Sequence, residues 1–159
     1  MGLQRKTSLI YGGFMTRSID TTEYIETVLS LLECQKTDVP VPIKGNSMVP
    51  FLREGDTVYL NSLTNEPKRG DVVLFRRADG SFVLHRIAKR LPDKSYLLLG
   101  DNQTVREPIK RDQILAITKS AKRKNRLITE KNFIWRFYGS VWLSLFRIRP
   151  LIARIANIK

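Results

Sequence analysis

Between residues 20 and 35 the apolar positions recur every three or four residues; from residue 39 onward they do not. Tyr24, Ile25, Val28, Leu29, Leu31 and Leu32 lie at helical spacing, the pattern of one buried stripe. Asp20 offers an N-cap, and Glu23 stands at the capping-box distance from it. The spacing predicts a helix over 20–35 that stops before Asp38, ahead of Pro40 and Pro42. Residues 1–18 have no comparable period and read as irregular.

Short apolar runs replace the helical period after this point. Residues 39–43, 57–60, 72–76, 82–89, 96–99 and 114–118 read as strands. Turn signals separate them: Gly55-Asp56, Gly70-Asp71, Asp79-Gly80, Pro92-Asp93 and Gly100-Asp101. Short strands at this interval predict a mainly β fold, a sandwich or coiled barrel rather than βαβ units. No internal repeat is visible. Residues 119–130 (KSAKRKNRLITE) read as a basic linker, and 133–159 as amphipathic helix broken at Pro150. The expected organisation is an N-terminal segment at 1–38, a β core at 39–118 and a basic amphipathic tail at 119–159.

Charge sharpens that division. The 159 residues carry a net charge of +13. Residues 1–118 hold 17 Lys/Arg against 14 Asp/Glu, whereas 119–159 hold 11 Lys/Arg against Glu130 alone. The excess therefore belongs to the tail, where it suits an anionic surface such as RNA or lipid. Residues 137–146 are uncharged, too short a run for the roughly 20 residues that span a bilayer. Trp135, Tyr138, Trp142 and Phe146, flanked by Arg136 and Arg147, suit a helix lying in the headgroup region. The competing reading packs this stripe on the β domain or on a partner chain. The single cysteine, Cys34, excludes an intrachain disulfide and a cysteine-rich zinc site.

Candidate chemistry centres on Ser47, in the stretch IKGNSMVPFLREGD. A serine hydroxyl needs a nearby base before it attacks an amide. His85, in SFVLHRIAK, is the chain's one histidine and the side chain best suited to proton transfer near neutral pH. Alternation puts His85 on one strand face with Val83 and Ile87, and Leu84 and Arg86 on the other. A lone histidine there is also a common structural residue. Asp101, in LLLGDNQ, ends an apolar strand and is a candidate to orient the imidazole; Gly-Asp-Asn is equally good turn chemistry. Glu107 is a possible second carboxylate, or simply a solvated one.

Together these stretches resemble a known group. GNSMVPFLREGD resembles the nucleophile box of signal peptidase I and LexA-type serine peptidases, the S24/S26 superfamily. KRGDVVLFRR is similar to the next strand of that group, VLHRI to the segment carrying its general base, and LLLGDN to its Gly-Asp-Asn box. The resemblance covers residues 39–118. Bacterial signal peptidases and LexA-like proteins use lysine as base. The His85-Arg86 pair is instead similar to the endoplasmic-reticulum and archaeal type, which uses Ser-His with aspartates nearby.

That resemblance implies Ser47 as nucleophile, His85 as general base and Asp101 as orienting acid, with Glu107 where a second aspartate often lies. It also implies small P1 and P3 side chains in a leader or signal-like peptide. Signal peptidases usually have Ser-Gly-Ser where this chain has Gly45-Asn46-Ser47. The oxyanion hole is therefore expected from backbone N–H groups of Ser47 and Asn46; one such donor is worth about 3 kcal/mol in studied hydrolases. The chemistry calls for no cofactor and no metal. The expected protein is a peripheral, membrane-associated serine endopeptidase at the cytoplasmic face, with a peptide or preprotein substrate and no nucleic-acid partner. The rivals are a LexA-like self-cleaving regulator and a catalytically silent relative that binds membrane or nucleic acid.

Overall fold

The computed structural model describes residues 21–35 and 38–149. A helix, α1 (Thr21–Gln35), leads into β1 (Val39–Pro42), β2 (Thr57–Asn61), β3 (Val72–Arg76), β4 (Phe82–Arg90), β5 (Tyr96–Leu99), β6 (Glu107–Ile109), β7 (Ile114–Arg123) and β8 (Arg126–Thr129). A short helix α2 (Phe133–Phe137) follows, and a π-helical turn (Tyr138–Trp142) continues it. The fold is mainly β, as the alternation requires. Asp20, residues 1–18 and the expected break at Pro150 lie outside the described residues.

The strands form one sheet in the order β1-β2-β7-β3-β4-β5-β6, with β8 paired to β7. Every pairing is antiparallel. The central strand β3 is buried on both faces. Its alternation divides the core: Val72 and Leu74 pack with Ile25, Val28, Leu32, Phe51, Leu60 and Trp135. Val73 and Phe75 pack on the opposite face with Ile87, Tyr96, Leu98, Ile109 and Ile114. Ser62 Oγ donates to the Leu32 carbonyl at 2.9 Å, tying the end of α1 to the sheet.

Two expectations are corrected. Residues 119–130 are no linker. β7 runs on to Arg123, turns at Lys124 (φ 52°), and returns as β8. Ala121 and Ser120 are buried in that extension, so small residues occupy the interior positions and basic ones the rest. The β core thus extends past residue 118.

The aromatic stripe also faces inward. Trp135 is buried, with its ring edge-on to Phe51 at 5.1 Å. Tyr138, Trp142 and Phe146 are half-buried, while Arg136 and Arg147 are exposed. The close approach is made at two glycines: a Cβ on Gly70 (φ 95°) would lie 2.9 Å from the Gly139 carbonyl oxygen. The large apolar groups that the described part of this segment leaves exposed are Phe133, Ile134, Val141 and Ile148. Among the described residues no helix is long and apolar enough to cross a membrane.

Candidate active site

Ser47 lies half-buried on the turn between β1 and β2. Gly45 takes φ 80° before it, and the Val49-Pro50 bond after it is cis. The turn is closed by Val49 N–H to the Asn46 carbonyl (3.2 Å) and Leu52 N–H to the Met48 carbonyl (2.8 Å). Met48, Phe51 and Leu52 then drop into the core and anchor it. Asp56 accepts from Arg53 N–H (3.0 Å) and from Arg123, which also donates to the Phe51 carbonyl. Among the described residues no carbonyl accepts the N–H of Asn46 or Ser47, which leaves both free to meet an oxyanion. Ser47 Oγ likewise forms no hydrogen bond among them.

The 100–103 turn after β5 touches this serine directly. Asn102 N–H donates to the Ser47 carbonyl at 2.8 Å. A Cβ on Gly100 would come within 2.6 Å of the same oxygen, so only glycine admits it. In the β4–β5 register Arg86 opposes Leu99 and Ile87 opposes Leu98. Carried one residue further, that register sets Gly100 opposite His85, on the face His85 shares with Ile87 and Leu98. The turn that meets the Ser47 carbonyl thus follows directly on the strand position paired with Arg86, the chain neighbour of His85.

His85 is 1% exposed, with its ring 5.7 Å from that of Phe75. Among the described residues its Nδ1 has no hydrogen-bond partner, and it lies 3.8 Å from Glu107 Oε2. Glu107 in turn accepts from Arg77 through both oxygens, at 2.6 and 2.8 Å. Burial drives the imidazole pKa down to about 4; Glu107 opposes the shift and Arg77 adds to it. The ring is uncharged at neutral pH and can accept a proton.

Asp101 does not take the part expected of it. Both its oxygens accept from Arg86, at 3.0 and 2.8 Å, in a pair with no solvent exposure. Arg86 and His85 are consecutive in β4, so their side chains leave on opposite faces. An acid bound to Arg86 is thereby on the wrong side to orient His85. The carboxylate beside the imidazole is Glu107. The Arg86 guanidinium also lies over Phe51 at 4.7 Å and donates to the Gly70 carbonyl at 2.8 Å, so this ion pair ties the Ser47 turn to the sheet. Sequence reasoning missed Arg77, which follows β3 and whose spacing from Glu107 carries no signal until β3–β6 are laid side by side. Among the described residues no cluster of His, Cys, Asp or Glu has the makings of a metal site.

Residues 8–120 match the family model of peptidase S24-like proteins. The chain belongs to the peptidase S24-like family. Membership accounts for the β-rich core and places the chain in the S24/S26, LexA-like superfamily of serine peptidases. Ser47, His85 and Glu107 all fall within the matched residues, and the segment from α2 onward lies beyond them. No curated protein matches the chain.

Proposed function

We propose that this S24-like chain is a serine endopeptidase of signal-peptidase type, with Ser47 as nucleophile, His85 as general base and Glu107 as the acid that orients it. The observation that carries the reading is the Glu107 carboxylate at His85 Nδ1. With Nδ1–H turned to Glu107, the lone pair of Nε2 is free for the Ser47 proton. Ser47 Oγ attacks the scissile carbonyl as Nε2 takes its proton. The oxyanion is held by the N–H groups of Ser47 and Asn46. The imidazolium returns the proton to the leaving amine, an acyl-enzyme remains, and a water deprotonated by His85 hydrolyses it.

Support for a peptide substrate comes from an apolar cavity of about 310 Å³ at the end of β1, where the chain leaves for the Ser47 turn. It is lined by Tyr24, Val41, Ile43, Leu74, Phe82 and Leu84. An extended peptide laid along 41–44 would find room there for an apolar side chain. The reading also puts the protein peripherally on an anionic membrane. Contact is reassigned from buried Trp135 and half-buried Tyr138, Trp142 and Phe146 to exposed Phe133, Ile134, Val141 and Ile148, with Arg136 and Arg147 beside them.

The test is cleavage of an Ala-X-Ala leader peptide, with labelling of Ser47 by a fluorophosphonate. Ser47→Ala and His85→Ala are expected to abolish both; unchanged turnover in either variant, or a wild type that neither cleaves nor labels, overturns the assignment. The family match also favours a LexA-like self-cleaving regulator, whose mark would be discrete fragments in the intact mass of purified wild type that vanish in Ser47→Ala.

A further inference from the structure

Beyond the residues that match the family, the chain returns to the candidate site from outside. The 100–103 turn supports Ser47 from within and leads on to β6, which carries Glu107. Its outer surface is held by two side chains of the C-terminal segment. Trp142 Nε1–H donates to the Asp101 carbonyl at 2.9 Å. The Arg149 guanidinium donates to the carbonyls of Gly100, Asp101 and Gln103, at 3.1, 3.1 and 3.2 Å. It also donates to the Trp142 carbonyl at 2.9 Å, which closes the segment on itself.

Arg149 is only 5% exposed, and among the described residues no carboxylate lies within ion-pair distance of it. Burying an unpaired guanidinium is costly, and an apolar residue would fill the same space at less expense. What the arginine adds is geometry. Its planar fork reaches several carbonyls only when they hold one arrangement. That arrangement is the one in which Gly100 and Asn102 meet the Ser47 carbonyl.

We infer that Arg149 and Trp142 are positioning residues of the catalytic centre: the C-terminal segment is a strap that holds the 100–103 turn, and through it Ser47 and Glu107, in working register. The inference rests on the peptidase reading, so one readout independent of activity is needed. His85 supplies it, because a chain with one histidine has one imidazole to follow by NMR. Loosening the turn admits water around His85, which raises the ring's pKa from about 4 toward its ordinary value; displacing Glu107 pulls the other way, but burial is the larger cause, so the net shift is upward.

The experiment compares wild type with Arg149→Ala, Arg149→Lys and Trp142→Phe, measuring the rate of fluorophosphonate labelling and the His85 titration well below each thermal midpoint. The expected result for Arg149→Ala is labelling slowed roughly 10-fold to 100-fold, as small misplacements of reacting groups produce, with an upward-shifted titration. Arg149→Lys recovers part of both, and Trp142→Phe lies between. If Arg149→Ala does not fold, the other two variants decide. Lowered midpoints with wild-type labelling and titration would reduce the strap to ordinary packing and overturn the inference. A shifted titration in a protein whose wild type never labels would leave the strap standing and remove the peptidase.

Discussion

The Arg86 guanidinium grips both carboxylate oxygens of Asp101, at 3.0 and 2.8 Å, with neither side chain reaching solvent. This pair lies across β4 from the imidazole of His85, so it has a different task from the Glu107 carboxylate. Removing one partner of a buried pair strands a charge and costs about 3–5 kcal/mol. Asp101→Asn is therefore expected to lower stability by that order, read as a reduced urea midpoint. Glu107→Gln leaves Arg77 half-exposed and hydrated, so its stability cost stays below about 1 kcal/mol. Peptidase turnover should fall at least 10-fold in Glu107→Gln because the imidazole loses its orienting charge. If Asp101→Asn proves stable but inactive while Glu107→Gln keeps full turnover, the two carboxylates have been assigned the wrong way round.

The same geometry bears on pH. His85 titrates at about 4 in the folded chain against an ordinary 6.5. The unfolded chain thus takes up this proton first as pH falls. The stability present above pH 6.5 declines between 6.5 and 4, by about 3 kcal/mol for the single group. Carboxylates titrate over part of that range too, so the measurement is a difference. The urea-unfolding free energy of His85→Leu should lose less than that of wild type between pH 7 and pH 4. In activity, kcat/KM is expected to hold down to pH 5 and fall with an apparent pKa near 4. An acid limb at 6.5 would mean that a hydrated imidazole does the work.

How much of this arrangement was legible beforehand depended on local contrast. β3 and β5 run where the apolar alternation and the flanking Gly-Asp turns put them, and α1 where its stripe does. β6 is three residues containing Pro108, too short for any period to register. The far half of β7 was missed because Ser120 and Ala121 fill its buried positions, and small side chains give no apolar signal. Their burial comes from β2 and β8, known only once the strands are paired. Asp101 attracted the orienting role because Gly-Asp-Asn is a conspicuous motif. Parity denied it: with Arg86 opposite Leu99, residue 101 falls on the arginine's face and Glu107 is left for the histidine. Aromatics spaced among arginines look alike whether they face lipid or a core, and the Gly70–Gly139 contact that turned them inward joins residues 69 positions apart.

That inward turn separates two effects on the C-terminal segment. Trp135 is buried in the core, its ring edge-on to Phe51. Trp135→Ala should cost about 3–5 kcal/mol through lost burial and the cavity left behind. Phe133 is 80% exposed, and Phe133→Ser should change stability by less than about 0.5 kcal/mol. On the proposed membrane contact, the second variant alone should weaken sedimentation with vesicles rich in phosphatidylglycerol. The binding that remains should drop further as salt rises, since exposed arginines are screened. Wild-type sedimentation by Phe133→Ser combined with Ile134→Ser would remove the lipid contact from this face.

Gly100 offers the most direct separation of function from fold. A Cβ there meets the Ser47 carbonyl at 2.6 Å and the Gln103 side chain at 3.0 Å. The nearest atom is backbone, so no rotamer change relieves it; the Ser47 turn or the 100–103 turn has to move. Both turns lie outside the strands and are flanked by core residues, Phe51 and Leu52 on one side and Leu98 and Leu99 on the other, so the sheet itself can persist. Gly100→Ala is expected to keep its far-UV circular dichroism and a cooperative unfolding transition. Labelling of Ser47 should slow roughly 100-fold, the scale on which a 1 Å displacement near reacting atoms acts. Gly80→Ala is the matching control. Gly80 has φ 85° and no atom closer than 3.9 Å to an added Cβ, so its cost is backbone strain of about 1 kcal/mol without displacement of the serine. Equal labelling in Gly100→Ala and Gly80→Ala would show that the contact between Gly100 and Ser47 does not set the nucleophile's position.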